Sequence, residues 1–456
     1  MSRDRPVVSA TGVTRRRFVG TTAGVCSLAA AGCLSDDNDG SADDGGESNP
    51  PEEITFLHYE TADDRRAAID DLGERFTGIT DIEISQRVVQ EADLPVTITS
   101  SVAADTLPEV GTLGLSVLHS ATGAIDAESA TAVVNEIGAD RFYENVLELA
   151  SVPGEDQYYG VPLYTWPQFT FCRREVFDDE GLEPARTWDQ WLTAAEALHD
   201  PDNNQFGVII GTERDPYTRQ CFTGFALANN AHVFSPDGEI VFDSDAMVEA
   251  LEFYASLAEF TPPGEVDSGT IGPIYDEGNA HLYSGNAFSV YFNSLGLDEN
   301  EEIGEYIVPV IEESEEATYG EVVCTTTMTA LDEPERDAAE SWQAFLRGSE
   351  DIQDYIDFCH IQVGGFQPVM PEVRENDDYR SHELMTHWPE ELSEEIIPES
   401  IQNMERFGYR DGQVFPEIGP ITANFLIAGA VSDVIDGEDA QTVAEDTADA
   451  MRDQIN

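Results

Sequence analysis

Lysine is absent from this chain of 456 residues, so all 22 basic residues are arginines, against 91 aspartates and glutamates. The formal net charge of −69 excludes nucleic acid as a partner, because phosphate binding requires a basic surface. This charge also exceeds what solubility requires, and self-repulsion on this scale destabilises a compact state at low ionic strength. Molar salt shortens the Debye length to about 3 Å and screens that repulsion. The composition therefore predicts a protein of a high-salt environment, whose 41% hydrophobic content suffices for a folded core.

Sequence signatures of catalysis are also missing. The eight histidines form no H-E-x-x-H pattern, and the chain contains no G-x-S-x-G elbow and no Walker phosphate loop. We therefore predict no enzyme activity, no cofactor and no metal site. The 91 acidic residues supply carboxylate pairs by chance, so a secreted glycoside hydrolase acting on oligosaccharides is the alternative hypothesis. A surface-layer or adhesion protein is disfavoured because the sequence has no internal repeat.

A long apolar run able to cross a membrane is absent, because the run from Val19 to Ala31 is too short. It follows Thr14-Arg-Arg-Arg-Phe-Val19, which matches a twin-arginine export signal, and it leads into Ala30-Ala-Gly-Cys33, which resembles a lipobox. Residues 1–33 are thus predicted to be a leader, with Cys33 lipidated at the extracellular face of the cell membrane. The alternative is an ordinary secretory signal with a chance cysteine.

Residues 34–53 contain no large apolar side chain after Leu34 and are rich in Asp, Gly and Ser. A segment of this composition cannot bury a core and repels itself, so it is predicted to be a flexible acidic tether. The spacing of its acidic residues is not that of a calcium loop. We interpret the tether as a spacer that holds a globular body away from a membrane.

The globular pattern begins with a strand, a helix and a strand. Ile54–Tyr59 is predicted to be the first strand, a helix follows through Phe76, and Ile82–Val89 is the second strand, which indicates a parallel βαβ unit. Ligands of α/β folds bind at the carboxyl ends of parallel strands, so Tyr59 and Glu60 are candidate site residues. The alternative for Glu60 is an ordinary acidic residue at a helix start.

A ring-rich segment from Tyr158 to Phe171 stands near the middle of the chain and contains Pro162 and Pro167. Each proline removes a ladder donor, which disfavours a central strand and favours an extended crossing segment whose rings, including Tyr164 and Trp166, face a cleft. The alternative is an edge strand that packs its rings into a core. Further along, Thr187 is predicted to cap the next helix, and Ala287–Phe292 is predicted to be a strand.

Segments in a fixed order carry a resemblance to a known family: ITFLHYE, YGVPLYTWPQFTFCRREVFDDEGLEPARTWDQWL, YDEGNAHLYSGNAFSVYF, VGGFQPV and DGEDAQTVAEDTADAMRDQI. They resemble an extracellular solute-binding protein of an ABC transporter, of the sugar-binding, maltose-binding-like group. The leader, tether and acidity are similar to the haloarchaeal lipoprotein type. The resemblance implies an α/β, two-lobed periplasmic-binding-protein-like (type II) fold with crossover hinge strands. It implies one lobe from residues 54–163 and 320–362 and a second from 164–319 and 363–456, with the ligand cleft between them.

The resemblance also implies a monomeric protein that binds a sugar or related polyol and delivers it to the permease subunits of an importer. Tyr164 and Trp166 would stack on the ligand, and Gly364 and Gly365 would let the backbone approach it closely. Which ring of the second lobe stacks on the ligand is left open among Phe288, Tyr291 and Phe292. The full set of predicted ligand-binding residues is Tyr59, Glu60, Thr112, Tyr164, Trp166, Asn230, Tyr291, Gly364, Gly365 and Phe366.

Beyond the leader, the cysteines are Cys172, Cys221, Cys324 and Cys359. An even number in an exported protein permits disulfides. The resemblance would place Cys172 with Cys221 in one lobe and Cys324 with Cys359 in the other, so that pairing would leave the hinge free. Four buried free thiols are the alternative, because a protein exported after folding folds in a reducing cytosol.

Overall fold

The computed structural model describes residues 50–264, 266–329 and 331–455; the predicted leader, its Cys33 and residues 34–49 lie outside the described residues. The strands are β1 Glu53–His58, β2 Glu83–Val88, β3 Val110–Gly114, β4 Val161–Arg173, β5 Leu282–Asn286, β6 Glu305–Val308, β7 Ile311–Glu312, β8 Glu316–Thr327, β9 Gln367–Pro368, β10 Met404–Glu405, β11 Tyr409–Arg410 and β12 Gln413–Val414. The α-helices are α1 Asp63–Thr80, α2 Leu94–Ala104, α3 Leu115–Ser120, α4 Ala127–Ile137, α5 Glu144–Leu149, α6 Arg174–Glu180, α7 Trp188–Leu198, α8 Pro216–Ala228, α9 Asp245–Ala258, α10 Ile271–Asp276, α11 Phe288–Ser294, α12 Glu333–Phe345, α13 Ile352–His360, α14 Pro371–Arg374, α15 Asp377–Arg380, α16 Ile397–Gln402, α17 Ile418–Ala423, α18 Leu426–Ile435 and α19 Ala440–Ile455.

A parallel strand–helix–strand unit opens the fold, as the sequence predicts. β1 pairs in parallel with β2 on one side and with β3 on the other. α1 packs beside this sheet and buries Ile69, Leu72 and Phe76, whose spacing places them on one helical face. The carboxyl end of β1 leads directly into Tyr59 and Glu60.

Two long strands connect two parts of the main sheet, whose order is β2-β1-β3-β8-β4-β5. The first half of β4, Val161–Pro167, pairs with β8, and its second half, Gln168–Arg173, pairs with β5 and β6. β8 is divided in the same way, because its residues 323–327 pair with β3 whereas its beginning pairs with β7 and β10. β4 and β8 therefore run side by side from one part of the sheet into the other.

Pro162 and Pro167 both lie inside β4, a central strand buried along almost its whole length, so the prediction that they disfavour a central strand is wrong. Each proline stands where the ladder changes. The register with β8 shifts between Pro162 and Tyr164, and β4 exchanges β8 for β5 directly after Pro167. A residue without an N–H is tolerated where the ladder is already interrupted.

The predicted strand Ala287–Phe292 is also wrong, because the strand ends at Asn286 and α11 follows. The Asn286 side chain accepts a hydrogen bond from the Phe288 amide at 3.2 Å, a turn that ends the strand and begins the helix. By contrast, Thr187 caps α7 as predicted. It forms a capping box in which its hydroxyl accepts from the Gln190 amide and the Gln190 side chain accepts from the Thr187 amide.

The four cysteines of the described chain are free and buried, which is the second of the two alternatives. Burial raises the pKa of Cys172 to about 12 and that of Cys221 to about 11, so these thiols stay protonated and unreactive at neutral pH. None of the helices in residues 50–264, 266–329 and 331–455 has the length and apolar content of a membrane span.

Candidate functional site

Two tyrosines and a glutamate meet beyond the carboxyl end of β1. The hydroxyls of Tyr59 and Tyr164 share a hydrogen bond of 3.2 Å, and Tyr164 Oη donates to Glu60 Oε1 at 3.5 Å. Arg65 Nη1 donates to the other oxygen of Glu60 at 2.8 Å. Burial raises the pKa of both tyrosines well above the ordinary value, so both hydroxyls are neutral. The structure thus brings together three of the predicted site residues.

A row of rings extends from Tyr164. Its ring stacks on Phe366 with centroids 4.1 Å apart, and Phe366 meets Phe288 edge-on at 5.9 Å. Phe288 contacts Trp166 at 6.3 Å, and Trp166 lies 5.9 Å from Tyr319. Because side chains two residues apart share one face of a strand, β4 presents Tyr164 and Trp166 together. We call these five rings the aromatic row.

A buried ion pair lies at the end of the aromatic row. Arg406 Nη1 is 2.8 Å from Glu321 Oε2, and the other oxygen of Glu321 accepts from the Leu115 amide at 2.8 Å. Arg406 Nη2 donates to Ser116 Oγ at 3.0 Å. Burial lowers the pKa of Arg406, but Glu321 and Tyr319 more than offset this and leave it above its ordinary value. The pair joins β8 to the start of α3 with most of its polar atoms satisfied.

Glu91 lies near these groups, at the start of the short helical turn Glu91–Asp93 between β2 and α2. It is exposed to water, yet the surrounding protein atoms raise its pKa, and the carboxylates of Glu321 and Glu60 raise it further. Arg219 lowers the same pKa; its Nη1 donates to Tyr319 Oη at 3.2 Å, and its guanidinium lies 5.3 Å from the centre of that ring.

The chemistry of this site is that of hydrogen bonding and stacking. Flat rings accept apolar CH faces, while carboxylates accept and guanidinium groups donate hydrogen bonds to hydroxyls. Arg65 pairs with Glu60 and Arg406 pairs with Glu321, and the charge of Arg219 lowers the pKa of Glu91. An arrangement of this kind suits a neutral molecule with several hydroxyls.

Three other predicted ligand-binding residues, Asn230, Thr112 and Tyr291, form no hydrogen bond or ring contact with the groups described above. Asn230 is exposed beyond the carboxyl end of α8 and bonds to His232, whereas Arg219 lies in the first turn of that helix. Thr112 is buried on β3, and its hydroxyl has no hydrogen-bond partner among the described residues. Tyr291 is half-buried on α11, with its ring against Phe292.

Gly364 and Gly365 allow a close approach, but the structure places side chains and backbone of this chain there. A Cβ on Gly365 would overlap the Phe288 ring, and a Cβ on Gly364 would lie 3.2 Å from the Tyr291 amide nitrogen. Gly364 also has φ of +93°, which favours glycine. These glycines therefore let α11 approach closely and allow its Phe288 to take its place in the aromatic row.

Sequence reasoning missed Glu91, Arg219, Tyr319, Glu321 and Arg406. A signal existed for Glu321, because it is a charged residue within the apolar and threonine-rich run of β8. Arginines are scarce in this chain, and each one could have been weighed as a candidate partner for a buried carboxylate. No local pattern, however, indicates that residues 321 and 406 meet.

A family model described as bacterial extracellular solute-binding protein matches residues 62–350. The putative ABC transporter periplasmic-binding protein YcjN of Escherichia coli (strain K12) is 27% identical over 397 residues, which cover 84% of this chain and 88% of that protein.

Solved structures with the same fold include a solute-binding protein of Agrobacterium radiobacter K84 in complex with ribitol, with a TM-score of 0.71 and 17% identity. The match covers 88% of this chain and 98% of that one. Maltose-bound MalE3 of T. maritima has a TM-score of 0.70 and 16% identity over 88% of this chain and 99% of that one. These likenesses confirm the predicted α/β, two-lobed type II fold.

The family match extends over more than half of the chain and includes β4, four of the five rings of the aromatic row and Glu321. The family is one of binding proteins, so the solute-binding prediction is confirmed and the glycoside hydrolase alternative is set aside. The chain therefore belongs to the family of bacterial extracellular solute-binding proteins.

Proposed function

We propose that this protein is the substrate-binding component of an ABC importer, which captures a neutral sugar or polyol outside the membrane and delivers it to the permease. The observation that carries the proposal is the juxtaposition of the aromatic row with Glu60, which accepts hydrogen bonds from Tyr164 and Arg65. Stacking surfaces beside carboxylates are what a molecule with CH faces and a rim of hydroxyls requires. Relatives of the same fold bound ribitol and maltose, which are molecules of this class.

The proposed cleft lies between lobes formed by residues 54–163 with 320–362 and by residues 164–319 with 363–456. The division of β4 and β8 into halves with different partners supports β4 and β8 as the hinge strands. Among the predicted ligand contacts, Tyr164, Trp166 and Phe366 are favoured because they belong to the aromatic row. Tyr59 and Glu60 are favoured because they hydrogen-bond to Tyr164. Closure of such lobes would enclose the ligand.

We further propose that the protein is a monomer on the outer face of the cell membrane. Cys33 would carry the lipid after twin-arginine export, and the acidic tether would separate the body from the surface. The formal charge of −69 and the absence of lysine support a high-salt habitat.

A thermal-shift screen in molar salt tests the ligand class. Ribitol, D-mannitol, maltose and other neutral polyols are compared with anionic sugars such as gluconate. A bound compound at a hundred times its dissociation constant should stabilise the protein by about 2.7 kcal/mol. Glu91→Gln should weaken that binding by roughly tenfold or more, because a hydrogen bond to a charged acceptor contributes about 1.5–3 kcal/mol.

Glu74→Gln, on the exposed face of α1, is the matched control and should bind like the unchanged protein. Stabilisation by anionic sugars alone would contradict the proposed ligand class. Equal affinities of the Glu91 and Glu74 variants would show that the ligand binds elsewhere.

A further inference from the structure

A β-bulge interrupts β4 just before the aromatic row. Pro162 pairs with Cys324 and Tyr164 pairs with Val323, so Leu163 is an extra residue on β4 that has no counterpart on β8. Side chains alternate between the two faces of a strand, and one extra residue reverses the alternation for everything that follows. The bulge therefore decides which face of the sheet carries Tyr164 and Trp166.

Side chains from outside the sheet satisfy three consecutive carbonyl groups at this bulge. Arg347 donates through Nη2 to the Val161 carbonyl and through Nε to the Pro162 carbonyl at 3.1 Å. Tyr355 Oη donates to the Leu163 carbonyl at 2.7 Å and accepts from the Val369 amide at 2.9 Å. Two fully buried side chains thus hold the backbone on both sides of the bulge.

Arg347 is in an unusual position for a charged residue. It is 0% exposed, and within the described part of the chain no carboxylate forms an ion pair with it. Its remaining contact is a hydrogen bond of 2.9 Å from Nη1 to the Gln343 carbonyl. Burying an unpaired cation costs free energy, and only the carbonyl dipoles at the bulge and at Gln343 offset this cost. A methionine or leucine would fill the same space without the charge, which indicates that the hydrogen bonds to the bulge have a specific role.

We infer that Arg347 and Tyr355 are positioning residues, which hold the bulge at Leu163 and thereby fix Tyr164 and Trp166 on the face that carries the ligand. The inference rests on the proposed function insofar as these two rings contact the ligand. Without the hydrogen bonds from Arg347 and Tyr355, β4 can lose the bulge or shift it along the strand. Tyr164 would then leave Tyr59, Glu60 and Phe366.

The test uses Arg347→Met, Arg347→Lys and Tyr164→Phe, alone and as the double variant Arg347→Met/Tyr164→Phe. Dissociation constants for ribitol, D-mannitol and maltose are measured by calorimetry at one salt concentration. We expect Arg347→Met to weaken binding of the compound with the highest affinity by about tenfold, equivalent to about 1.4 kcal/mol. Arg347→Lys should recover part of the affinity, since an ammonium group can still donate to the bulge carbonyls. The double variant should bind no more weakly than Arg347→Met, because both changes act on the same ring.

Trp342→Phe is the matched control, because Trp342 is equally buried on the preceding helix α12 and packs on Phe345 rather than on the bulge. It should reduce stability and leave the dissociation constants unchanged. Additive effects in the double variant, or an equal loss of affinity in Arg347→Met and Trp342→Phe, would overturn the inference.

Hydrogen exchange in the ligand-free protein separates failure of this inference from failure of the proposed function. If none of the three compounds binds the unchanged protein, the proposed ligand class fails, and exchange over Tyr158–Phe171 decides the role of Arg347. Faster exchange there in Arg347→Met than in Trp342→Phe is the expected result. Equal exchange rates in the two variants would refute the proposed role of Arg347 in holding the bulge.

Discussion

His119 on α3 is a buried neutral histidine whose ring lies edge-on to Tyr159. Burial, together with the nearby charge of Arg406, lowers its pKa from 6.5 to about 3. Below pH 6.5 the unfolded chain therefore binds a proton that the folded chain does not bind, and stability is lost progressively as the pH falls towards 3. At about 1.4 kcal/mol per pKa unit, the upper bound of this loss is about 5 kcal/mol.

His119→Gln should flatten the dependence of the unfolding free energy on pH between about 6.5 and 3, measured by urea denaturation. His58, whose pKa burial lowers to about 4, preserves part of the slope in this variant. His387→Gln, in a half-buried turn, serves as the control. An unchanged slope in His119→Gln would show that His119 takes up its proton in the folded state.

For single residues, the sequence predicts a place in the site when that place follows from the neighbouring secondary structure. Tyr59 and Glu60 follow a parallel strand, and the strand alternation places Tyr164 beside Trp166. Glu91 and Arg406 could not be predicted, because their role depends on distant partners: Arg406 meets Glu321 across 85 residues of chain. A charge in a buried strand can be noticed, but its counter-ion cannot be assigned without the fold.

Among the elements, α7 depends on its first residue. Thr187→Ala removes the hydroxyl that accepts from the Gln190 amide, so it should cost about 1 kcal/mol of unfolding free energy. Denaturant unfolding at constant salt measures this loss. Thr99→Ala on the exposed face of α2 is the control, where alanine's higher helix propensity should leave stability equal or greater. Equal losses in both variants would mean that the cap contributes nothing specific.

Strand and helix assignments failed where side chains or long-range pairing overrode local preference. β-branched and aromatic residues suggested a strand at Ala287–Phe292, but the Asn286 turn starts α11 there. The prolines of β4 argued against a central strand, but the changes of partner and register that accommodate them involve β5 and β8, more than 100 residues away. Strand pairing over such sequence separations cannot be predicted from neighbouring residues alone.

For the whole molecule, the formal charge of −69 predicts stability that rises with salt. Raising potassium chloride from about 0.1 M to 1 M shortens the Debye length from about 10 Å to about 3 Å and screens the repulsion among carboxylates. The thermal midpoint should rise steeply over this range and then more slowly. Sucrose at matched osmolality is the control, because it strengthens burial without screening charge. A midpoint that responds equally to both would contradict the electrostatic explanation.

The order of strands and helices made the two-lobed class predictable, since the opening βαβ unit and the central segment follow one another as the family resemblance requires. The path of β4 and β8 through both parts of the sheet is a property of the complete chain, and only the structure gives its register.

The four buried thiols have a practical consequence for studying the protein. Maleimide reagents need an accessible thiolate, and these side chains offer none at neutral pH. A single cysteine introduced at an exposed site near the cleft, in a chain that starts after Cys33, would therefore carry a fluorescent dye by itself. Such a conjugate would turn solute capture into an optical signal and let whole libraries of compounds be read in concentrated brine.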